Sequence, residues 1–199
     1  MIHSLSENIA DFLLSNNCFE KENIDIYVYG IELVVSTVLG IVIVMLLSIA
    51  FNCVFDGLLF YMAFYTLRKF TGGLHCNTHL KCNLTYISIF LISVIINSLI
   101  KGTSLRIIVL GVFIVFSFVT IFLFAPIENI NKPIKKENML KFKLISISVF
   151  LLHILLFSVI SYFSDNRADM IIITDLFVAL LIIISLFLNK ERRVKNENI

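Results

Sequence analysis

Along most of this chain apolar residues come in long unbroken runs and do not alternate with polar ones. Six such runs lie near residues 27–51, 54–67, 82–100, 105–125, 144–163 and 169–188, the first containing "IELVVSTVLGIVIVMLLSIAF". A helix that crosses the hydrocarbon of a bilayer needs roughly 20 apolar residues. The pattern predicts an all-α, polytopic integral membrane protein with about six transmembrane helices. The second run, of about fourteen residues, is short for a crossing. It reads either as a re-entrant or protein-buried helix, or as a full span that extends through Arg68–Phe70 with its cations snorkelling. Ahead of the runs, Ile2, Leu5, Ile9, Phe12 and Leu13 recur at helical spacing, and Ser4 with Glu7 fits a capping box. This predicts an amphipathic helix lying on the membrane or on the protein itself. The organisation expected is an interfacial region at 1–26, one transmembrane domain at 27–188 and a basic tail at 189–199.

Composition agrees: 59% of residues are hydrophobic and the mean hydropathy is +0.97, against about 45–50% apolar in soluble domains. A net charge of +2 gives no reason to expect nucleic acid as a partner. The first 26 residues carry Glu7, Asp11, Glu20, Glu22 and Asp25 and have no apolar core of a secretory signal. Cys18, Cys53, Cys76 and Cys82 are irregularly spaced and read as reduced thiols. Charge then orients the spans. With six crossings and the N-terminus inside, thirteen of the 16 Lys and Arg residues fall on the cytosolic side. Only Lys101, Arg106 and Arg167 fall outside, as the positive-inside rule requires. Both termini and the segment at 68–81 are therefore expected in the cytosol. Pro126 and Pro133 break the helix after the fourth run and stiffen a basic cytosolic loop.

The densest chemistry sits between the second and third runs, in "RKFTGGLHCNTHLKC" (Arg68–Cys82). No Asp or Glu occurs between Asp56 and Glu128, so no carboxylate base is at hand in the sequence. His75 and His79 are the side chains there that titrate near neutral pH. Cys76 and Cys82 are the strong nucleophiles. Imidazole with thiol is the pairing used for acyl transfer, and Arg68, Lys69 and Lys81 add potential that favours a thiolate. Several pairings are open. His79 and Cys82 share a helical face. His75 and Cys76 are adjacent and diverge. His75 and Cys82 lie seven apart, about 10 Å along a straight helix, and meet only if the chain bends. Gly72-Gly73 and Asn77-Thr78 supply places for a break and a new N-cap.

The pattern of Arg68, three residues, Gly72-Gly73, one residue, His75, six residues and Cys82 resembles the signature of the accessory gene regulator B (AgrB) family of Gram-positive bacteria. The resemblance extends over nearly the whole chain, including Ala125-Pro126 and Pro133. It implies an integral-membrane cysteine endopeptidase that matures an AgrD-type quorum-sensing propeptide. By position, His75 and Cys82 match the catalytic dyad, and Arg68, Gly72 and Gly73 match further motif residues. His79 and Lys81 receive no role from it. Cys76 stands where the family usually has alanine and leaves a second thiol beside the base. The partners expected are the propeptide, the bilayer and a second copy of the chain. No cofactor and no metal are expected.

Readings of other classes are a peptide exporter, a membrane scaffold or sensor subunit, and a zinc hydrolase built on "HCNTHLKC". The exporter is disfavoured by the few charges in the spans and the lack of a half-chain repeat. The zinc site lacks standard ligand spacing and a nearby general base. Glu32, His153 and Asp175 are ionisable groups inside spans. Each is either functional or a snorkelling or helix-linking group.

Overall fold

The structure is a computed structural model that describes residues 2–16, 22, 24–72, 78–127, 136–163 and 168–197. Within them the chain forms seven helices: α1 (Ile2–Ser15), α2 (Ile24–Ala50), α3 (Val54–Thr71), α4 (His79–Ile100), α5 (Arg106–Phe124), α6 (Lys136–Phe163) and α7 (Asp169–Glu197). The fold is all-α and polytopic, as its apolar runs predict.

Five helices, α2 and α4 to α7, are long and apolar enough to cross a membrane. The short second run becomes α3, whose 18 residues include Asp56, Arg68 and Lys69. At 1.5 Å per residue α3 is about 27 Å long. Asp56, near its start, faces Asn97 near the end of α4 at 3.4 Å. Farther along, Phe60 and Phe64 pack on Tyr86, tilted and edge-on, and Arg68 shares a cavity with Cys82 at the start of α4. α3 therefore runs the same depth as α4, in the opposite direction.

Direction alternates throughout. Phe51, Asn52 and Cys53 connect α2 to α3, with Asn52 in the left-handed region (φ 53°) that Asn tolerates. Thr66 and Phe70 of α3 meet His153 and Phe142 of α6, an antiparallel register. Arg106 and Asp169 tie the starts of α5 and α7. A parallel bridge between Gly72 and Ile127 ties the ends of α3 and α5, beside a cis Ala125-Pro126 peptide. One end of the bundle thus gathers the starts of α2, α4 and α6 with the ends of α3, α5 and α7.

α7 is the most enclosed span, with Met170–Ile173, Val178, Ala179 and Ile182 buried. The other spans turn Leu46, Ile49, Leu99, Ile107 and Leu155 outward. In a bilayer the surrounding solvent is itself apolar, so these side chains need no protein cover. Helices extend past the apolar runs at the basic end: α6 begins at Lys136 and α7 continues through the charged residues to Glu197. Hydropathy marks the hydrocarbon-matched part only, and Lys and Arg continue a helix readily.

α1 begins at Ile2, so Ser4 is inside the helix and does not cap it, contrary to the capping-box expectation. The helix packs on α2 through buried Ser6 and Ala10, leaving Leu5 and Phe12 exposed. His3 bonds Glu32 of α2 at 2.5 Å and Glu7 at 3.1 Å. The hydrogen bond to Glu32, then the charge of Glu7, raises the His3 pKa above its ordinary value. Glu32 is thus held by α1.

Candidate active site

Cys82 stands in the first turn of α4. Thr78 caps that turn: its side-chain oxygen accepts from the Lys81 backbone N–H at 3.3 Å, and its carbonyl accepts from the Cys82 N–H at 3.2 Å. The N-cap expected around Asn77-Thr78 is Thr78. A helix N-terminus carries partial positive charge and favours an anion such as a thiolate. Cys82 is half-buried and reduced.

Across from it α3 ends at Gly72, with φ 68°. A Cβ there would lie 2.3 Å from the Ile127 carbonyl oxygen. Both the left-handed backbone and the contact with the segment after α5 require glycine. The Ile127 N–H donates to the Thr71 carbonyl at 3.0 Å. The signature glycine and the Ala125-Pro126 segment are therefore one structure, which the sequence pattern did not reveal.

Between the halves of α2, α3 and α4 nearest this end lies a cavity of about 620 Å³. Cys82 opens onto it, with Arg68, Lys69 and Gly72 on the α3 wall, Gly40 on the α2 wall and Tyr86 one turn below the thiol. The Arg68 guanidinium lies over the Phe64 ring at 5.6 Å. The site joins two cations, a thiol and an aromatic chamber.

Of the residues singled out from the sequence, Arg68, Gly72 and Cys82 come together here. Lys81 is exposed, on the turn that carries Cys82. Gly73, His75 and Cys76 lie outside the described residues, as does the side chain of His79, which begins α4. Three of the four side chains of the zinc alternative, His75, Cys76 and His79, fall there too. Described residues 72 and 78 both lie at the cavity end of the bundle.

The sequence profile of the accessory gene regulator B family matches residues 6–189. This chain belongs to the accessory gene regulator B family. Among its relatives is AgrB-like protein 2 of Clostridium perfringens (strain 13), 31% identical over 83% of this chain and 81% of the relative. An AgrB-like protein of C. perfringens (strain SM101) is 32% identical over 69% of this chain and 66% of its own length. One from Listeria welshimeri is 30% identical over 67% and 65%. No solved structure matches. The family resemblance read from the motif is thus established over most of the AgrB-family chain, well beyond the fifteen residues that suggested it.

His153 and Asp175, on α6 and α7, are not among the residues that line the cavity. His153 Nδ1 meets Asp175 Oδ1 at 2.9 Å and its Nε2 meets Thr66 Oγ1 at 3.0 Å. Both charged-type side chains are buried. They link α3, α6 and α7, the helix-linking alternative of the two considered from sequence.

Proposed function

We propose that this AgrB-family chain is a membrane-embedded cysteine endopeptidase that removes the C-terminal tail of an AgrD-type propeptide and releases a cyclic peptide for quorum sensing. It acts in the bacterial cell membrane with both termini in the cytosol. The observation that carries this reading is Cys82 in the capped first turn of α4, open to a cavity whose rim holds Arg68 and Lys69. Family membership supports the substrate class.

The chemistry needs few parts. The Cys82 sulfur bonds to the carbonyl carbon at the tail junction as the C–N bond breaks. His75 takes the thiol proton and gives it to the leaving amine. An internal Cys thiol or Ser hydroxyl of the peptide then attacks the thioester, and its proton returns to the Cys82 thiolate. Exchange of one thioester for another is nearly neutral, so a thiolactone closes without ATP. The first step, from amide to thioester, is uphill and is drawn forward by departure of the tail.

An acidic tail docks on the basic end. Arg68 holds a carboxylate bidentately, and Gly72 allows a peptide backbone to approach. The test is cleavage in neutral-lipid bilayers with tail acids changed to amides. A lower rate with a weaker salt dependence supports docking. An unchanged rate and salt dependence assigns these cations to topology alone.

A further inference from the structure

The cavity continues past Cys82 into the bundle. α3 and α4 run in opposite directions, and Phe64 meets Tyr86 at 5.0 Å. One helical turn from that contact, toward the start of α4, stand Cys82 and, on α3, Arg68. Lys69 and Gly72 line the cavity outward of this level. Inward of it the walls are Ile41, Tyr61, Phe64, Tyr86 and Leu181. Gly40 sets the level of the α2 wall, since a Cβ on it would sit 3.3 Å from the Asn83 side chain and 3.4 Å from the Tyr86 ring. Tyr61 is seven residues from Arg68, about 10 Å along α3. The thiol therefore stands at a boundary, with cations at its level and outward of it and an aromatic chamber inward.

The chamber offers little to a polar side chain. Among the described residues, Arg68 and Lys69 are the only charged groups that line the cavity, and the Arg68 guanidinium lies over the Phe64 ring. The hydroxyls of Thr37 and Thr85 donate to the Leu33 and Lys81 carbonyls at 2.7 and 2.9 Å. A charged side chain lodged inward of Cys82 would lose its water without gaining a partner. An apolar one gains by leaving water. The whole cavity, about 620 Å³, falls within the roughly 300–1,000 Å³ of sites that enclose small ligands, so a bulky side chain has room.

A peptide bond held at Cys82 has one flank on each side of that boundary. The acidic tail belongs with the cations, which leaves the acyl flank to the chamber. We propose that the chamber inward of Cys82 is the subsite for the residue whose carbonyl the thiol attacks, and that it selects a bulky apolar side chain there. The inference rests on the reading of Cys82 and of the tail given above. Leu181 belongs to the packed core of the bundle, whereas Ile41 is only half-buried, so Ile41 is the wall residue whose size can be changed with least disturbance.

The test uses the full chain in bilayers and synthetic AgrD-type propeptides whose ring-closing nucleophile is replaced by alanine. The residue before the tail is Phe, Leu, Ala or Asp, and the tail is constant, so its docking does not enter the rate ratios. Attachment of peptide to Cys82 is followed at subsaturating peptide. Phe and Leu are expected to react roughly 10-fold or more faster than Ala, the scale on which an apolar pocket reads size, with Asp slowest. An apolar peptide also partitions into the bilayer whichever chain is present, so the second comparison is between chains. Ile41→Trp should cut the Phe-to-Ala rate ratio roughly 10-fold, and Ile41→Ala should speed a naphthylalanine peptide relative to Phe. A ratio within one chain does not depend on how much of it folds. Equal rates for Phe, Ala and Asp overturn the proposal, as do ratios that neither Ile41 variant changes. In both cases an adduct still on Cys82 leaves the nucleophile assignment standing, whereas an adduct on Cys76 sinks that assignment and this inference with it.

Discussion

At the scale of single residues the proposed function rests on Cys82, His75 and Gly72. Cys82→Ala and His75→Ala are each expected to abolish propeptide cleavage while membrane insertion, checked by fractionation, is kept. Cys76→Ala should keep most activity; a dead Cys76→Ala with an active Cys82→Ala would reverse the roles of the two thiols. Gly72→Ala is expected to damage the site without touching the chemistry. Its side chain meets a left-handed backbone, which costs about 1–2 kcal/mol, and the Ile127 carbonyl oxygen at 2.3 Å. Faster hydrogen exchange at the end of α3 together with reduced cleavage is the expected result, and unchanged exchange would contradict it. The thiol, the Arg and the glycine of this site were legible in the sequence because their spacing is specific. Tyr86 was not, since an apolar span rich in aromatics offers no pattern that separates a wall residue from a lipid-facing one.

At the scale of elements, two contacts hold helices in register. The His3 contact with Glu32 fastens α1 to α2. Its pKa is raised in the folded chain, so the stabilisation is fully present below the ordinary histidine value and is lost as pH rises through the raised one. A histidine titration by NMR should place His3 above the ordinary value, and spin labels on α1 and α2 should separate as pH passes it. Titration at or below the ordinary value would contradict the docking. The second contact joins Thr66, His153 and Asp175. Neutral hydrogen bonds between membrane helices average about 0.6 kcal/mol, but leaving a buried polar group unsatisfied costs about 1–3 kcal/mol. His153→Ala strands the Asp175 carboxyl, so a large fall in detergent melting temperature is expected, and a small fall would mark the group as an ordinary helix–helix hydrogen bond. Helix existence was readable from hydropathy. Helix ends were legible only in part: the extension of the second run through Arg68–Phe70 was one of its two readings, whereas α6 starts at Lys136, well before its apolar run, because charged residues leave the run but continue the helix.

At the scale of the whole molecule, alternating helices bring the starts of α2, α4 and α6 to one end with the ends of α3, α5 and α7. That end holds the cavity, Cys82 and Arg68. In the proposed orientation it is the cytosolic end, so impermeant reagents should label both termini and the 68–81 segment from the cytosol and Arg167 from outside. Labelling near Lys136 from outside would overturn this orientation. The six helices that follow α1 were legible in the six apolar runs. The enclosure of α7 was not, since its hydropathy resembles that of its lipid-facing neighbours. The most direct measurement uses an AgrD-type propeptide whose internal nucleophile is replaced by alanine, so that no ring can close. Intact-mass analysis after mixing should show the chain heavier by the peptide without its tail, with the added mass mapped to Cys82 and released by hydroxylamine. Cleavage of the tail with no adduct, or with the adduct on Cys76, would contradict Cys82 as the residue that carries the acyl group.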